Sequence, residues 1–293
     1  MSELTFIDIL KKRNEHPRDK NLKFEAKWHN YTVLGDTYSK YTSVTKLVKG
    51  QFPPFDADLV IKRMMSGKNW NEENKYWGMT PAEIKKLWTN NGAKQSSAGT
   101  NLHFNIEQFM NQWLVDVNDQ FYDSTHEDLL DSYKEDVANN ESNILNTSKE
   151  WNYFINFISD HLEMKPFRTE WMIYDEDLKL AGSVDMIYEN SDGTYDIYDW
   201  KRCKEITKVH NFNTTGNTPF TMSIPDTNFW HYSLQLNTYK AILLRKYGIK
   251  VRNLYLVQFH TDNPKDNYEI FQCADLQEEV GNIFDNILRI KKH

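Results

Sequence analysis

The chain has 293 residues, 39% of them hydrophobic and 26% charged, which is typical of one large or two small folded domains and argues against a disordered chain. No apolar run approaches the roughly 20 residues of a membrane-spanning helix, and no secretory signal or transit peptide is evident, so we expect a reducing, intracellular location and no membrane contact. The two cysteines are too few for a disulfide framework or a four-cysteine metal site. A net charge of −7 argues at first against nucleic acid as a partner.

The acidity is concentrated in one segment. Residues 116–141 contain nine acidic residues and one lysine, a charge of −8, so the other 267 residues together carry +1. Such a run is typical of a solvated helical face, and it could instead repel an unsuitable substrate or contact a partner protein. Because the remainder is nearly neutral, the net charge does not exclude nucleic acid.

Helical signals dominate the first half of the chain. The pattern predicts a short helix containing Phe6, Ile7 and Leu10, a polar hairpin-like stretch at 31–41, and a helix beginning near Ser43. A second amphipathic pattern over 149–163 predicts another helix.

Two helices are predicted between these segments. Thr80, Pro81 and Glu83 form a capping box with proline in the first turn, which indicates a helix ending near Asn90. A serine pair at 96–97 predicts the cap of a second helix. Its apolar face contains Leu102, Ile106, Phe109, Met110 and Trp113.

The centre of the chain changes to a period of two residues. Alternation at 167–175, 180–189 and 194–201, interrupted by turn residues, predicts three consecutive antiparallel strands. The aperiodic stretch at 203–227 predicts a long loop of functional or mobile character.

The last 65 residues return to helices and strands. The pattern predicts a helix over 229–247 capped by Gly248, strands at 251–259 and 268–273, and a closing helix at 275–290. Helices before and after a central sheet predict an α/β (α+β) fold.

Carboxylates and a lysine coincide at the predicted strand ends. Asp199 and Lys201 are two residues apart on the third strand and therefore share one face. Asp185, on the preceding strand, should lie near Asp199 because a short turn joins the two strands. Glu170, one strand earlier, could add a third carboxylate. Hard oxygen ligands of this kind suit Mg²⁺ or Mn²⁺.

Two predicted helices carry polar pairs four residues apart. His103 and Glu107 project from the same side of one helix, beside its apolar stripe. Gln235 and Tyr239 share a face of the helix after the long loop, and this pair fits buried hydrogen bonding and substrate contact equally well.

Five separated motifs follow one another along the chain. They are Gly99-Thr100-Asn101-Leu102-His103 with Glu107, then Glu170, then Gly182-Ser183-Val184-Asp185, then Asp199-Trp200-Lys201, and finally Gln235-Leu236-Asn237-Thr238-Tyr239. In this order they resemble the RecB-like branch of the PD-(D/E)XK nuclease superfamily. The chain is similar to the mitochondrial genome maintenance exonucleases and to related phage and giant-virus nucleases, which would fit a phage or large DNA virus origin.

The resemblance covers roughly residues 43–248 and implies a restriction-endonuclease-like core, a central mixed sheet with an antiparallel meander flanked by helices, plus helical insertions. We accordingly expect one nuclease domain over 1–293. It would carry an N-terminal extension at 1–42, a Trp/Lys-rich helical region at 66–98 and an acidic insertion at 116–141.

The resemblance also implies residue roles. His103, Asp185 and Asp199 match the family's metal ligands, the backbone carbonyl of Trp200 is a further expected ligand, and Lys201 matches the catalytic lysine. One or two Mg²⁺ or Mn²⁺ ions are the implied cofactors. The cysteine cluster that holds an iron–sulfur centre in some relatives is absent from this sequence, so no such cluster is expected.

Further residues match supporting positions. Glu170 matches an acid that precedes the metal-binding aspartate, and Gln235 with Tyr239 match a motif that supports the site and contacts nucleic acid. Arg202, beside the lysine, is expected to contact a phosphate. We also include Glu107 and Thr100 among the substrate-binding candidates. Asp185 follows valine where many family members have proline.

Two regions have the composition of a strand-binding surface. Aromatic residues alternate with lysines in one of them, through Trp70, Tyr76, Trp77 and Trp88 with Lys68, Lys75, Lys85 and Lys86. Core packing is the alternative explanation for at least two of these aromatics. The other region is the long loop, with Lys204, Lys208, His210 and Phe220.

We therefore expect a metal-dependent deoxyribonuclease, an exonuclease on single-stranded or flap DNA in replication, repair or recombination. One alternative is a structure-specific endonuclease, and another is a non-cleaving nucleic-acid-binding protein of the same fold. RNA is not excluded as a substrate, because phosphate-directed metal chemistry does not read the 2′-hydroxyl.

Overall fold

The computed structural model describes residues 8–25, 28, 30–112, 123–209 and 214–291. Phe6, Ile7, Trp113, His210 and the first part of the acidic segment, 116–122, lie outside the described residues.

The described chain contains eight helices and eight strands. The helices are α1 (Ile9–Arg13), α2 (Val44–Lys49), α3 (Ala57–Met65), α4 (Pro81–Asn111), α5 (His126–Asn139), α6 (Lys149–Asp160), α7 (Asn228–Ile242) and α8 (Gln277–Ile290). The strands are β1 (Leu22–Glu25), β2 (Asn30–Val33), β3 (Thr42–Ser43), β4 (Lys165–Asp175), β5 (Leu180–Glu189), β6 (Tyr195–Lys201), β7 (Val251–Gln258) and β8 (Glu269–Gln272). A 3-10 turn covers Asp19–Asn21, and a π turn, Leu243–Tyr247, extends α7 to Gly248.

Six strands form one mixed sheet. Strands β4, β5 and β6 are the predicted antiparallel meander, and β7 and β8 continue the sheet beyond β6. The β6–β7 and β3–β5 pairs are parallel, whereas β7–β8 is antiparallel. Strands β1 and β2 form a separate hairpin. The predicted α/β fold with a central mixed sheet and a meander is confirmed.

Helices cover both faces of the sheet, because alternate residues of β5 and β6 are buried on opposite sides. Ile187 and Ile197 join a core with α2, α7 and α8, while Met186 and Trp200 join a second core with α1, α4, α5 and α6. The sheet is thereby packed between two apolar layers, and this packing holds in position the polar residues at the ends of β5 and β6.

The prediction of two helices between residues 80 and 113 is wrong. The capping box at Thr80 is present, but it opens a single helix of 31 residues, about 46 Å long. The serines at 96–97 do not cap a new helix; the carbonyl of Ser96 stays in the helix and accepts a hydrogen bond from Thr100 Oγ1 at 3.0 Å. Neither serine nor the internal Gly92 costs enough to break a helix whose last third is buried against the sheet.

Other boundaries also differ from the prediction. Helix α3 was not predicted, and the Trp/Lys-rich region is helical only from Pro81 onward, with turns before it. The described part of the acidic segment forms α5, whose buried side faces α6 and whose acidic residues are largely exposed. No helix in the described ranges has both the length and the apolar character needed to cross a bilayer.

Candidate metal and active site

The site forms where β5 and β6 separate. Their backbone ladder ends at the Met186–Tyr198 pair, and the next facing positions are Asp185 and Asp199. In place of a backbone bond, Asp185 Oδ2 accepts the N–H of Trp200 at 3.0 Å. Beyond the end of the ladder, the Asp185 carboxylate therefore accepts a backbone hydrogen bond from the neighbouring strand.

Asp199 and Lys201 point the same way from β6 and form an ion pair. Asp199 is only 1% exposed, and the Lys201 side chain is also largely buried. The Lys201 ammonium lies 4.5 Å from the centre of the Tyr232 ring, which packs beside it from α7. This arrangement holds the ammonium at one edge of the site, between an anion and a π face.

His103 reaches the same place from α4. Its Nε2 donates to the Trp200 carbonyl at 2.9 Å, and its Nδ1 lies 3.4 Å from Glu170 Oε1 and 3.7 Å from Asp185 Oδ2. The long helix thus contributes one side chain that contacts three strands, β4, β5 and β6.

Glu170 completes the cluster from β4, with an unusual backbone. Its φ is +41°, which is rare for a non-glycine residue within a strand. The register around it places it opposite Asp185, and its Oε2 accepts a hydrogen bond from Ser183 at 3.0 Å. Backbone strain of this kind costs about 1–3 kcal/mol and persists where the surroundings enforce it, often at functional sites.

The electrostatics of the cluster follow from burial and close charges. Burial alone would lower the pKa of His103, but the Asp185 and Glu170 carboxylates raise it to about 9. Burial and the nearby Asp185 raise the pKa of Asp199 to about 6 despite Lys201. Burial also raises the pKa of Asp185. Although burial opposes it, the Asp199 and Asp185 carboxylates raise the pKa of Lys201, which therefore stays protonated.

Three of these residues offer a metal-binding arrangement. One ligand atom each from His103, Glu170 and Asp185 lies within 4.8 Å of the others. Two carboxylates and an imidazole fit Mn²⁺, and the hard oxygens fit Mg²⁺. Of the other predicted ligands, Asp199 pairs with Lys201, and the Trp200 carbonyl accepts the hydrogen bond from His103.

An open cleft of about 860 Å³ gives access to this cluster. Thr100, Glu107 and Arg202, all predicted to bind substrate, line it. Burial and the nearby Glu170 and Asp8 raise the pKa of Glu107 to about 8, so its carboxyl is mostly protonated at pH 7.

Arg202 is held by protein groups. Its guanidinium donates to Glu150 Oε1 at 2.7 Å and to the side chain of Gln95. Since Glu150 is buried, this pair compensates most of the arginine charge and joins α4, β6 and α6 at the cleft wall.

Gln235 and Tyr239 lie behind the cluster. Gln235 Nε2 donates to the Tyr239 hydroxyl at 3.1 Å, and Tyr239 is buried. The ring fills the space over Gly182, where an added Cβ would lie 2.7 Å from Tyr239 Cε1. The pair therefore supports the strand that carries Ser183 and Asp185.

The predicted aromatic surface is largely self-packed. Trp88 Nε1 donates to the Tyr76 hydroxyl at 2.9 Å, and Trp70 and Trp77 pack together with ring centres 5.7 Å apart. Trp77 remains 46% exposed. These contacts favour the core-packing alternative for Tyr76 and Trp88.

Sequence reasoning assigned no role to Ser183, Tyr232, Glu150 and Gln95, which contact site residues. For Tyr232 a signal existed, because it precedes Gln235 by three and Tyr239 by seven positions and so shares their helical face. For Glu150 and Gln95 no local signal exists, since both contacts with Arg202 join residues distant in the chain.

Comparisons with known proteins match the chain to solved structures alone. No protein-family profile and no curated protein matches the chain. Among solved structures, it is similar to a "putative exonuclease" from Eubacterium rectale, with 14% sequence identity and a TM-score of 0.33 over 86% of this chain and 81% of that chain. It is also similar to the protein SSO0001, with 14% identity and a TM-score of 0.20 over 42% of this chain and 48% of that chain. The case for a function therefore rests on the geometry of the site.

Proposed function

We propose that the protein is a metal-dependent nuclease of the PD-(D/E)XK type that hydrolyses DNA phosphodiester bonds. Its substrate would be single-stranded or flap DNA met during replication, repair or recombination, and it would act as an exonuclease. The observation that carries the proposal is the convergence of His103, Glu170 and Asp185 in an open cleft beside the Lys201–Asp199 pair.

His103, Glu170 and Asp185 would hold Mg²⁺ or Mn²⁺, which is supported by one ligand atom from each lying within 4.8 Å of the others. When bound, such an ion makes water nucleophilic near neutral pH and stabilises charge on the reacting phosphate. Asp199 would act on the other side of the cluster by keeping the Lys201 ammonium in place.

Lys201 would serve as a fixed positive charge. Its raised pKa means that it does not release its proton near pH 7, so it is suited to stabilise the phosphate oxygens and unsuited to act as a base. The Tyr232 ring and Asp199 limit its movement, which pre-organises that charge before substrate binds.

The remaining cleft residues would position the strand. Thr100 would offer a hydroxyl on the cleft wall, and protonated Glu107 would offer a donor without adding negative charge. Gln235 and Tyr239 would act indirectly, by supporting the β5 strand beneath the site.

The proposal is tested by digesting end-labelled single-stranded, duplex and flap DNA with Mg²⁺ or Mn²⁺. The wild type should cut, while Asp185→Asn and Lys201→Met should each lose at least a hundredfold in rate. Asp192→Asn and Lys240→Met, at positions outside the cleft, are the matched controls and should cut like the wild type.

Two outcomes would contradict the proposal. Absence of cleavage on all substrates would favour a binding protein, and cutting by Lys201→Met at the parental rate would remove the lysine from the mechanism. A circular single strand separates exonuclease from endonuclease, because an enzyme that needs an end leaves it intact.

A further inference from the structure

A second, smaller cavity adjoins the cleft on the side away from Lys201. Its volume is about 290 Å³. We call it the end pocket, and define it by the residues Phe24, Tyr31, Thr169, Glu170, Met172 and Ser183.

The end pocket and the cleft share a wall. Phe24, Glu107 and Glu170 line both cavities, whereas Lys201 and Arg202 line only the cleft. A strand that lay along the cleft with one phosphate at the His103–Glu170–Asp185 cluster would therefore place its next unit in the end pocket.

The size and the aromatic wall of the pocket suit one nucleoside. Its volume lies just below the range for small-molecule sites, about 300–1,000 Å³, and is too small for a length of strand. Phe24 and Tyr31 pack with ring centres 4.7 Å apart, and Phe24 remains 37% exposed. An aromatic face of this kind is what an unpaired base stacks on.

The charges around the pocket disfavour a terminal phosphate. Two cations line it, and each has a carboxylate beside it: Arg168 NH1 lies 2.7 Å from Asp19 Oδ2, and Lys11 Nζ lies 3.9 Å from Asp8 Oδ1. Glu170 adds a further carboxylate on the side of the cluster. The pocket therefore favours a neutral sugar and base over a phosphorylated end.

Resting on the proposed nuclease function, we propose that the end pocket receives the 3′-terminal nucleoside of a DNA strand, so that the protein degrades DNA from the 3′ end. A 3′ end presents an uncharged sugar with a hydroxyl beyond its last phosphate. A 5′ end left by each cut of the opposite polarity would carry a phosphate into the same pocket.

The reaction at such an end is simple hydrolysis. The oxygen of water bonds to the last phosphorus, and the bond from that phosphorus to the 3′ oxygen of the penultimate nucleotide breaks. One proton passes to that 3′ oxygen, and a nucleoside 5′-monophosphate is released. The shortened strand again ends in a 3′-hydroxyl, so the pocket fits each new end.

End-group chemistry tests the inference on the wild-type protein. Single strands that end in a 3′-hydroxyl should be degraded at least tenfold faster than strands that end in a 3′-phosphate, and a 5′-phosphate should make little difference. Equal rates for the two 3′ ends, or degradation from the 5′ end, would overturn the proposal.

Variants test the pocket itself. Phe24→Ala and Tyr31→Ala should each slow digestion of 3′-hydroxyl strands about tenfold, the effect expected for a lost base–aromatic stack. The matched control is Tyr38→Ala, an exposed tyrosine outside both cavities, which should digest like the wild type. Unchanged rates in both pocket variants would refute the assignment.

Binding separates this inference from the nuclease proposal. Saturation-transfer NMR on the metal-free protein should detect deoxyadenosine but not deoxyadenosine 3′-monophosphate, and Phe24→Ala should lose the signal. If the wild type bound the nucleoside in this way yet cut nothing, the end-pocket proposal would be supported and the nuclease proposal would be contradicted. If it cut DNA but bound both compounds alike, the end-pocket proposal would be contradicted and the nuclease proposal would be supported.

Discussion

Replacing Lys201 by methionine should make the stability of the protein depend on pH. Lys201 and Asp199 form a buried ion pair, and methionine keeps the volume of the lysine stem without its charge. The variant leaves Asp199 buried beside Asp185 with no cation against it. Asp199 can escape this state only by taking up a proton, which is easier at low pH.

The magnitude follows from linkage. In the wild type the pKa of Asp199 is raised from its ordinary value of 3.8 to about 6, so the folded state binds more protons and stability falls as pH rises through this range. At pH 8 the raised pKa of Asp199 already lowers the free energy of unfolding of the wild type by about 3 kcal/mol. If Asp199 stays protonated in the folded variant up to pH 8, its burial lowers the free energy of unfolding at that pH by about 6 kcal/mol. This is about 3 kcal/mol more than in the wild type. At pH 5 the further loss is close to zero, because the wild-type carboxyl is also protonated.

The assay is urea unfolding of the wild type, Lys201→Met, Asp199→Asn and the double variant at pH 5, 6.5 and 8, with a metal chelator present. The difference between Lys201→Met and the wild type should grow with pH. It should lose its pH dependence when Asp199→Asn is added. A difference that is the same at pH 5 and pH 8, or that survives in the double variant, would refute the reasoning.

Three further predictions concern packing, protonation and metal. Gly182→Ala should lower the free energy of unfolding by about 1–3 kcal/mol, because the new Cβ meets the buried Tyr239 ring. Gly281→Ala should raise it by up to about 1 kcal/mol, because this glycine of α8 has open space around it. Equal effects of the two substitutions in chemical denaturation would contradict this reasoning. His126 is buried, which lowers its pKa to about 3, so its contribution to the free energy of unfolding is complete above about pH 6.5 and should fall by about 2 kcal/mol between pH 7 and pH 5, opposite in sign to the change from Asp199. In the same assay, the free energy of unfolding of the wild type relative to His126→Gln should fall by about 2 kcal/mol over this pH range. Mn²⁺ should raise the melting temperature of the wild type and not that of Asp185→Asn, and an equal rise in both would place the ion elsewhere.

The strands were predictable because their signal is local. Alternation set the bounds of β5 and nearly those of β4 and β6, and a short turn then required Asp185 to lie opposite Asp199. The meeting of His103 with these strands was expected from the resemblance alone, since nothing local to α4 specifies which strand it contacts.

The rest depends on features that no local pattern carries. Glu170 joins the cluster through a backbone angle that glutamate rarely adopts, and Asp199 turns to Lys201 because both are buried together. The uninterrupted helix α4 depends on burial of its last third, which outweighs the weak helix-breaking tendency of Gly92 and Ser96. The end pocket is formed by segments more than a hundred residues apart.

Trp200 gives the site an unusual dependence on the main chain. Its N–H donates to the Asp185 side chain and its carbonyl accepts from the His103 side chain, so Trp200 makes both contacts with main-chain atoms. Exchange of the Trp200 side chain would remove the indole from the core and would leave both of these hydrogen bonds in place. Alanine at position 200 therefore does not report this role of the main chain, and a homologue could carry another strand-compatible residue there and retain the same two contacts. From the side of residue 200, only a change of the backbone itself, such as an ester in place of one amide, would remove one of these contacts.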